Sequence, residues 1–594
     1  MKIFYLQLFF LGVFTASAQT IPVNRLVDWS VAGYPDSFPN PGLVYDVTNF
    51  GAVGDSLFDN ATAIRDAIDS LHGNRGVIYF PPGNYIIGST IDLPDSVILR
   101  GASSDSSRLI FDLGGVIGHG FNVTGSVSGV FANVVSGGFR GNDQIVVDDP
   151  SSFSVGDYCE LIENNGAWDV QPVSWADNSV GQIVRLTYIN GDTLFLATPL
   201  RIDYDPLLSP RIQKITPATE VGIECLQVSR ADSVHTGVCF NIYFNYAANC
   251  WIQGVESSRS IGSHIEADAS TNLTVSGCYV HDAFEYDGTS THGYGITLFA
   301  HTGQCLITNN IVRHLRHAFS FQTGANGNVL SYNYSLDPNR SESPANFGAD
   351  ISLHGHYPYA NLFEGNIVQN IMIDQTWGPS GPFNTFFRNR AELYGIIMTS
   401  GAAESDSLNF VGNEVTNTQV LMGNYILAGT AHFEFGNNIK GTITPSGTLP
   451  LNDMSYYLTG QPGFWSGQPY PSIGDPNVLG SGSIPARDRY LSGVNFTVCE
   501  GGIISAMDDP EKNQLTVYPV PATDRIYVSG NFGGGKILLT LWDIRGRVLS
   551  AQTVAGRNDC ILELPQGITG GVYLLKVNTA RDHFSRKVII LNRD

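Results

Sequence analysis

From about residue 235 to 440 the chain repeats a unit of 23 to 24 residues, and this constrains the fold more than any other feature. Aligned units begin at Cys250, Leu273, Cys305, Asn328, Asn361, Asn384 and Leu408, at spacings of 23, 32, 23, 33, 23 and 24 residues. Two copies therefore carry an added loop of about nine residues. Each unit holds short, strand-length apolar runs and no convincing helix. That pattern predicts the coils of a parallel β-helix rather than a helical solenoid. The last residue of the unit is Asn in five consecutive copies: Asn310, Asn333, Asn366, Asn389 and Asn413. Stacked coils lie about 4.8 Å apart, so an Asn at the same tight turn of each coil can pass amide hydrogen bonds up the stack. These residues are expected to be structural and are set apart from any site.

A chain of 594 residues is too long for one compact core, which suits an elongated repeat with further modules. With 43% hydrophobic and 14% charged residues it reads as packed and folded, and its 65 glycines imply many turns. The formal net charge of -22 sets nucleic acid aside as a partner. It also weakens, without excluding, a strongly anionic polysaccharide as substrate.

The start of the chain reads as a signal peptide over 1–18. Lys2 precedes an apolar stretch from Ile3 to Phe14, and Ala16-Ser17-Ala18 forms a cleavage site before Gln19. No later segment approaches the length of an apolar membrane span, so none is expected. The eight cysteines fit no zinc motif and no disulfide scaffold. Cys250, Cys278 and Cys305 are expected in the core, with pairing left open.

Upstream of the repeat, Val44-Tyr45-Asp46-Val47-Thr48-Asn49-Phe50-Gly51-Ala52-Val53-Gly54-Asp55 leads into Asp59-Asn60-Ala61-Thr62-Ala63-Ile64. There Ala63, Ile64, Ala67, Ile68 and Leu71 share one helical face. Gly76-Val77-Ile78-Tyr79-Phe80-Pro81-Pro82-Gly83-Asn84-Tyr85 then reads as strand, turn, strand. These strings resemble the N-terminal cap and first coils of the pectate-lyase-like superfamily, which includes rhamnogalacturonase-type and epimerase-like domains and phage tailspikes. The resemblance implies an all-β, right-handed parallel β-helix and says little about the reaction.

Residues 120–220 break the pattern. Strand-like runs alternate with turns such as Asn190-Gly191-Asp192, so a β insertion or elaborated coils are expected, with Trp168 and Trp175 on a long loop that could wall a cleft. The Pro/Gly-rich, aromatic stretch from Tyr456 to Arg487 is expected to wrap over the C-terminal end of the solenoid. Beyond a linker, Leu515 to Ala522, Asp543 to Val548 and Gly571 to Val577 carry the strings YPVPA, DIRGRV and GVYLLKV. They resemble the C-terminal sorting domain of the type IX secretion system of Bacteroidota, a small β-sandwich. That resemblance implies the type IX machinery as partner and a secreted or cell-surface location. A small carbohydrate-binding sandwich is the alternative. The expected layout is thus a signal peptide at 1–18, cap and first coils at 19–119, insertion at 120–220, main β-helix and wrap at 221–505, linker at 506–514 and sorting domain at 515–594.

Chemistry is expected on outward side chains of neighbouring coils. Seven of the 13 histidines lie between 281 and 356: His281, His292, His301, His314, His317, His354 and His356. Gly348 to His354 alternates strictly, so with Ile351 and Leu353 inward, Asp350, Ser352 and His354 point outward. One coil later Ile373 points inward and Asp374 outward. Placing Asp374 over Ser352 sets it about 8 Å from Asp350, a spacing that suits an inverting glycosidase. Asp350, Asp374 and His354 are the expected catalytic groups. His317, Gln322, His356 and Trp377 are expected to bind sugar, and Arg388 and Arg390 to meet a uronate carboxylate.

No motif calls for a metal or cofactor, although Asp282, Glu285 and Asp287 in the first added loop could take calcium. The expected activity is cleavage of an extracellular polysaccharide. The carboxylates favour hydrolysis by a small margin over elimination from a uronate-containing glycan, and a non-catalytic glycan-binding surface protein or adhesin is the alternative.

Overall fold

The computed structural model describes residues 19–594 except 234–236, 466, 468, 476, 500–515, 519–523, 530–535, 544–546, 556–558, 570, 579–582 and 591–594. The expected signal peptide (1–18) and the expected linker (506–514) lie outside the described residues. The chain divides into two compact units, Met1–Gly502 and Ile503–Asp594.

The first unit is a parallel β-helix. A short helix, α1 (Ala61–Asp69), buries Ala63, Ile64, Ala67 and Ile68 against the first coils, as its periodicity predicts. Each coil then contributes strands to three faces. The first face is a ladder of short strands such as Trp251–Gln253, Thr274–Ser276, Leu306–Thr308 and Val329–Ser331, twelve strands in all. The second face begins two or three residues later, as in Glu256–Ser260, Tyr279–Ala283 and Ile311–Arg313. The third face holds Ile242–Asn245, Ser263–Asp268, Tyr294–Phe299, His317–Phe321, Ala349–Leu353 and the end of Ile367–Ile373. Inward residues of the third face (Ile265, Ile296, Phe319, Ile351, Ile371) stack in one continuous core with those of the other two faces.

The Asn ladder forms as expected. Asn310 Nδ2 donates to Asn333 Oδ1, and the chain of bonds runs on through Asn366, Asn389 and Asn413 to Asn437 at 2.9 to 3.1 Å per step. A second ladder, Asn328 to Asn361 to Asn384, lies at the opening residue of the repeat unit.

Two straps run back along the stack, from late coils towards early ones. In the N-terminal strap Thr20 bonds Asp453, Trp29 Nε1 donates to the Ala360 carbonyl, Gly33 N to the Gln304 carbonyl and Tyr34 N to Thr274, while Asn40 accepts from Arg100. The aromatic stretch after residue 450 forms the second strap. It meets Glu364 through Tyr456 N, Ser331 through Tyr457, Asn309 through Arg489 and Gly277 through Val498, and ends in a Cys225–Cys499 disulfide. It therefore lies along the side of the solenoid rather than over its end, because its rings pack on Tyr279, Ile311, Tyr334 and Ile367 of successive coils. The antiparallel pair Asn437–Ile439 and Thr442–Thr444 stands at the last coil instead. Cys250, Cys278 and Cys305 are buried and unpaired.

Residues 126–216 form a closed six-stranded barrel: Ser126–Ser136, Gln144–Val147, Tyr158–Ile162, Gly181–Asn190, Thr193–Leu196 and Arg211–Thr216. Buried polar contacts seat it on the coils. His301 Nδ1 bonds Glu160 at 2.6 Å, Arg201 donates to Asn326 at 2.8 Å, and Tyr359 donates to the Gly181 carbonyl. Gly324, at φ +72°, lies so near the Ser179 carbonyl that a Cβ there would collide with it.

The second unit is an antiparallel sandwich of a three-stranded and a four-stranded sheet, closed over Ile526, Val528, Leu539, Leu541, Leu562, Leu575 and Val577.

Candidate active-site groove

A groove of about 680 Å³ opens on the third face. Its floor comes from outward positions of successive strands: Tyr243, Glu266 with Asp268, Phe299, Gln322 and His354. Three other elements wall it. The barrel contributes Trp175, the loop Gly288–Thr291 one rim, and the turn after Ile373 contributes Trp377.

The perturbed carboxyls in the groove are Glu266 and Asp268, two residues apart on one strand, with Cα atoms about 6.6 Å apart. Tyr243 donates to Asp268 Oδ2 at 2.8 Å and Ser263 to Glu266 Oε2 at 2.6 Å. Asp268 Oδ1 is buried with no protein partner. Burial raises both carboxyls. Asp268 is pushed up to about 7 despite the Tyr243 hydrogen bond, and Glu266 is raised by burial and then by its like-charged neighbour Asp268. Two like-charged carboxyls so close resist ionising together, an arrangement suited to one acting as acid and the other as base.

Further along the floor stand Tyr294, His317 and His354, with ring centroids 4.6 Å (Tyr294–His317) and 5.0 Å (His317–His354) apart. His354 Nδ1 bonds Asp374 Oδ2 at 2.8 Å. Burial alone would raise Asp374, but the His354 bond and charge, with Thr376, hold it well below the usual carboxylate range. Burial next to Arg316 and His354 keeps His317 neutral, and its Nδ1 has no partner. Arg316 sits 4.9 Å over the Tyr294 ring and donates to the His292 and Ser290 carbonyls, pinning the rim loop.

Of the residues expected from sequence, Gln322, His354 and Trp377 line the groove; Asp374 and His317 join through His354. His356 lies behind the wall. Its ring meets Trp175 edge-on at 4.8 Å, both nitrogens are unpartnered, and burial lowers it to about 4.

Four expectations are corrected. Asp350 is 1% exposed and does not face the groove. Its carboxylate accepts from Ser335 Oγ and from the backbone N–H groups of Gln369 and Asn370, tying the second and third faces together, and burial raises it to about 7. The Asp350–Asp374 pairing fails as well. Ser352 pairs with Met372 and Leu353 with Ile373, so Asp374 stands beside His354 and about 14 Å from Asp350. The expected register was one pleat short, an error the alternation cannot reveal because a two-residue slip keeps every side chain on its own face.

Arg388 and Arg390 belong to the second strap rather than to a sugar site. Arg388 donates to the carbonyls of Leu451, Asp453 and Ile473, while Arg390 pairs with buried Glu414 at 2.7 Å and donates to Ser481 and Gly482. The expected calcium trio also divides. Asp282 bonds His281, whereas Glu285 and Asp287 gather with His292, their ligand atoms within 4.8 Å of one another, where they could hold a metal ion.

Sequence reasoning missed Glu266, Asp268, Tyr243 and Tyr294. The signal was present: Ile265-Glu266-Ala267-Asp268 alternates as Asp350 to His354 does, three coils earlier.

Residues 44–128 match the family model described as rhamnogalacturonase A/epimerase, pectate lyase-like. Residues 516–591 match that of a secretion system C-terminal sorting domain. The chain is similar to mannuronan C5-epimerase AlgE6 of Azotobacter vinelandii, 33% identical over 100 residues, which is 16% of this chain and only 11% of that relative's length. Among solved structures it is similar to the tailspike gp49 of Pseudomonas phage LKA1, with a TM-score of 0.47, 14% identity, and 62% of this chain and 63% of that one covered. It is also similar to the catalytic unit of a GH87 alpha-1,3-glucanase from Streptomyces thermodiastaticus, with a TM-score of 0.36, 14% identity, and 69% and 67% covered. The chain thus joins a β-helical body that carries a pectate lyase-like segment at 44–128 to a C-terminal sorting domain at 516–591, of the kind that directs type IX secretion to the cell surface or beyond it.

Proposed function

We propose that the chain is a secreted enzyme that hydrolyses glycosidic bonds of an extracellular polysaccharide lying in the third-face groove. The carrying observation is the Glu266–Asp268 pair, a buried and a half-buried carboxyl with raised proton affinity on one strand of an open groove. Glu266, which lacks the Tyr243 hydrogen bond that steadies an ionised Asp268, keeps its proton and gives it to the leaving glycosidic oxygen. Asp268, ionised and steadied by Tyr243, takes a proton from water as that water's oxygen bonds the anomeric carbon and the glycosidic C–O bond breaks. Gln322, His354 and Trp377 orient the sugar, and Asp374 holds the His354 imidazole in one orientation. Export by the sorting domain suits a polymeric substrate outside the cell.

A second reading, elimination from a uronate-containing glycan, is favoured by the ring cluster of Tyr294, His317 and His354, which could take a proton from carbon. Incubating the protein with plant and algal polysaccharides separates the two. New reducing ends without ultraviolet absorbance are the expected result. Reducing ends with absorbing, unsaturated products would establish elimination, and retained binding with no product would leave a glycan-binding protein.

A further inference from the structure

The groove walls narrow the class of polysaccharide. On one side of the carboxyl pair, in the direction of the late coils, Trp175 lies 5.9 Å from Phe299 and 6.1 Å from Trp377 by ring centroid. Trp175 is 48% exposed and Trp377 37%. Such large exposed rings beside buried polar groups are interaction surfaces rather than core. On the other side, towards the early coils, His119 stacks on Tyr243 at 4.5 Å and on Phe240 at 5.0 Å. Burial beside Arg230 keeps His119 uncharged at neutral pH. The two ring clusters flank Glu266 and Asp268 along the axis of the stack. Between the coil of Phe121–Thr124 and that of Ile367–Ile373 lie six coil steps, about 29 Å at 4.8 Å each. An oligosaccharide of several residues fits that length.

Charge sets the second limit. Among the described residues lining the groove, Arg316 is the one Arg or Lys. Its Nε and Nη2 already donate to the His292 and Ser290 carbonyls, and its plane covers Tyr294. A polyuronate would bring a carboxylate with every sugar into a groove floored by Glu266 and Asp268. It would need bidentate cations there, and Arg388 and Arg390, expected from sequence to supply them, are buried under the second strap.

We infer that the groove takes an uncharged polysaccharide running along the stack axis, its apolar sugar faces stacked on Trp175 and Trp377 at one end and on the His119–Phe240–Tyr243 cluster at the other. This rests on the hydrolytic reading of the Glu266–Asp268 pair. The barrel insertion then acts as a specificity module, since Trp175 reaches the groove only because His301–Glu160 and Gly324–Ser179 seat the barrel on the coils.

The test uses the full chain and its Asp268→Asn variant. Soluble neutral glycans (β-glucan, mannan, galactan) and uronate polymers (polygalacturonate, alginate) are compared by affinity electrophoresis and by reducing-end release. Binding and release on at least one neutral glycan and on neither uronate polymer is expected, with little effect of added salt. Trp175→Ala should raise KM and weaken binding about tenfold, or about 1.4 kcal/mol, with Trp175→Phe restoring part of the loss and thermal melting reporting the fold of both. Tighter binding of a uronate polymer, binding of neither class, or unchanged affinity in Trp175→Ala would overturn the inference. Asp268-dependent cleavage of a uronate polymer would end it while sparing the hydrolytic reading. Neutral-glycan binding without any cleavage would do the reverse.

Discussion

The same coils present two different surfaces, and the contrast between the strap-covered faces and the third face separates structure from chemistry. Under the straps, on the first and second faces, most side chains with strong hydrogen-bonding capacity are spent on the fold. The Asn ladders bond at every step, and Arg388 and Arg390 donate to strap carbonyls and Glu414, leaving Glu414 Oε1, Asn438 Oδ1 and Ser472 Oγ among the few buried atoms there without a partner. On the third face the accounts stay open. Asp268 Oδ1, His317 Nδ1, Ser320 Oγ, Ser352 Oγ and, just past the strands, Thr323 Oγ1 and both nitrogens of His356 are buried without a protein partner. Buried polar groups are nearly always paired, so their concentration beside one groove marks where a ligand completes the bonding. Covered by straps, a face of the solenoid holds the coils in register; uncovered, it is free to carry a site.

This comparison can be broken by substitution on either side. The largest effect is expected on the third face, where Glu266→Gln and Asp268→Asn should each lower kcat by at least about 10³-fold, roughly 4 kcal/mol in the barrier. Circular dichroism and melting should be unchanged. Under the second strap Arg390→Met should do the opposite. It strands Glu414 and costs about 3–5 kcal/mol of stability by chemical denaturation, with kcat per folded molecule unaltered. Asn366→Ala should follow at about 2–3 kcal/mol, since it deletes bonds to Asn333, Leu330 and Asn389 at about 1 kcal/mol each.

The smallest effect sharpens the site itself. As pH falls through about 7 Asp268 gains a proton and the base is lost, so kcat/KM should fall about tenfold per unit on the acid side. The Tyr243 hydrogen bond lowers the proton affinity of Asp268. Tyr243→Phe should therefore move that limb to higher pH, a shift that a purely structural role for Tyr243 would not produce.

Linkage gives Asp350 its own signature. Its folded-state affinity is raised to about 7 above the unfolded value, so it contributes stability at low pH that is lost as pH rises through about 7. Asp350→Asn should flatten that part of the stability profile and leave kcat near its original value.

The coil repeat, the ladder and the cap helix were legible because each coil must satisfy the same turn and bury the same inward pair. Asn310 to Asn413 and Ala63 to Leu71 state that requirement directly. The site was legible only in part. Alternation correctly turned His354, Gln322 and Asp374 outward, yet it could not show what lies over an outward residue. Asp350, Arg388 and Arg390 obey the same alternation and are covered, the two arginines by a strap. Straps that join Thr20 to Asp453, 433 positions apart, leave no periodic trace. The register between neighbouring third-face strands was equally silent, since Asp374 over Ser352 and Asp374 over His354 produce the same inward and outward sets. Glu266 and Asp268 carry the same alternating signal as Asp350 and His354, and only the groove distinguishes them.

The most direct measurement is a crystal structure of Asp268→Asn with an oligosaccharide released by the wild-type enzyme. Sugar density on the third face, with a glycosidic oxygen within hydrogen-bond reach of Glu266 and a ring stacked on Trp175 or Trp377, is the predicted result. Density against the straps or the second face, with the groove around Glu266 empty, would contradict the account.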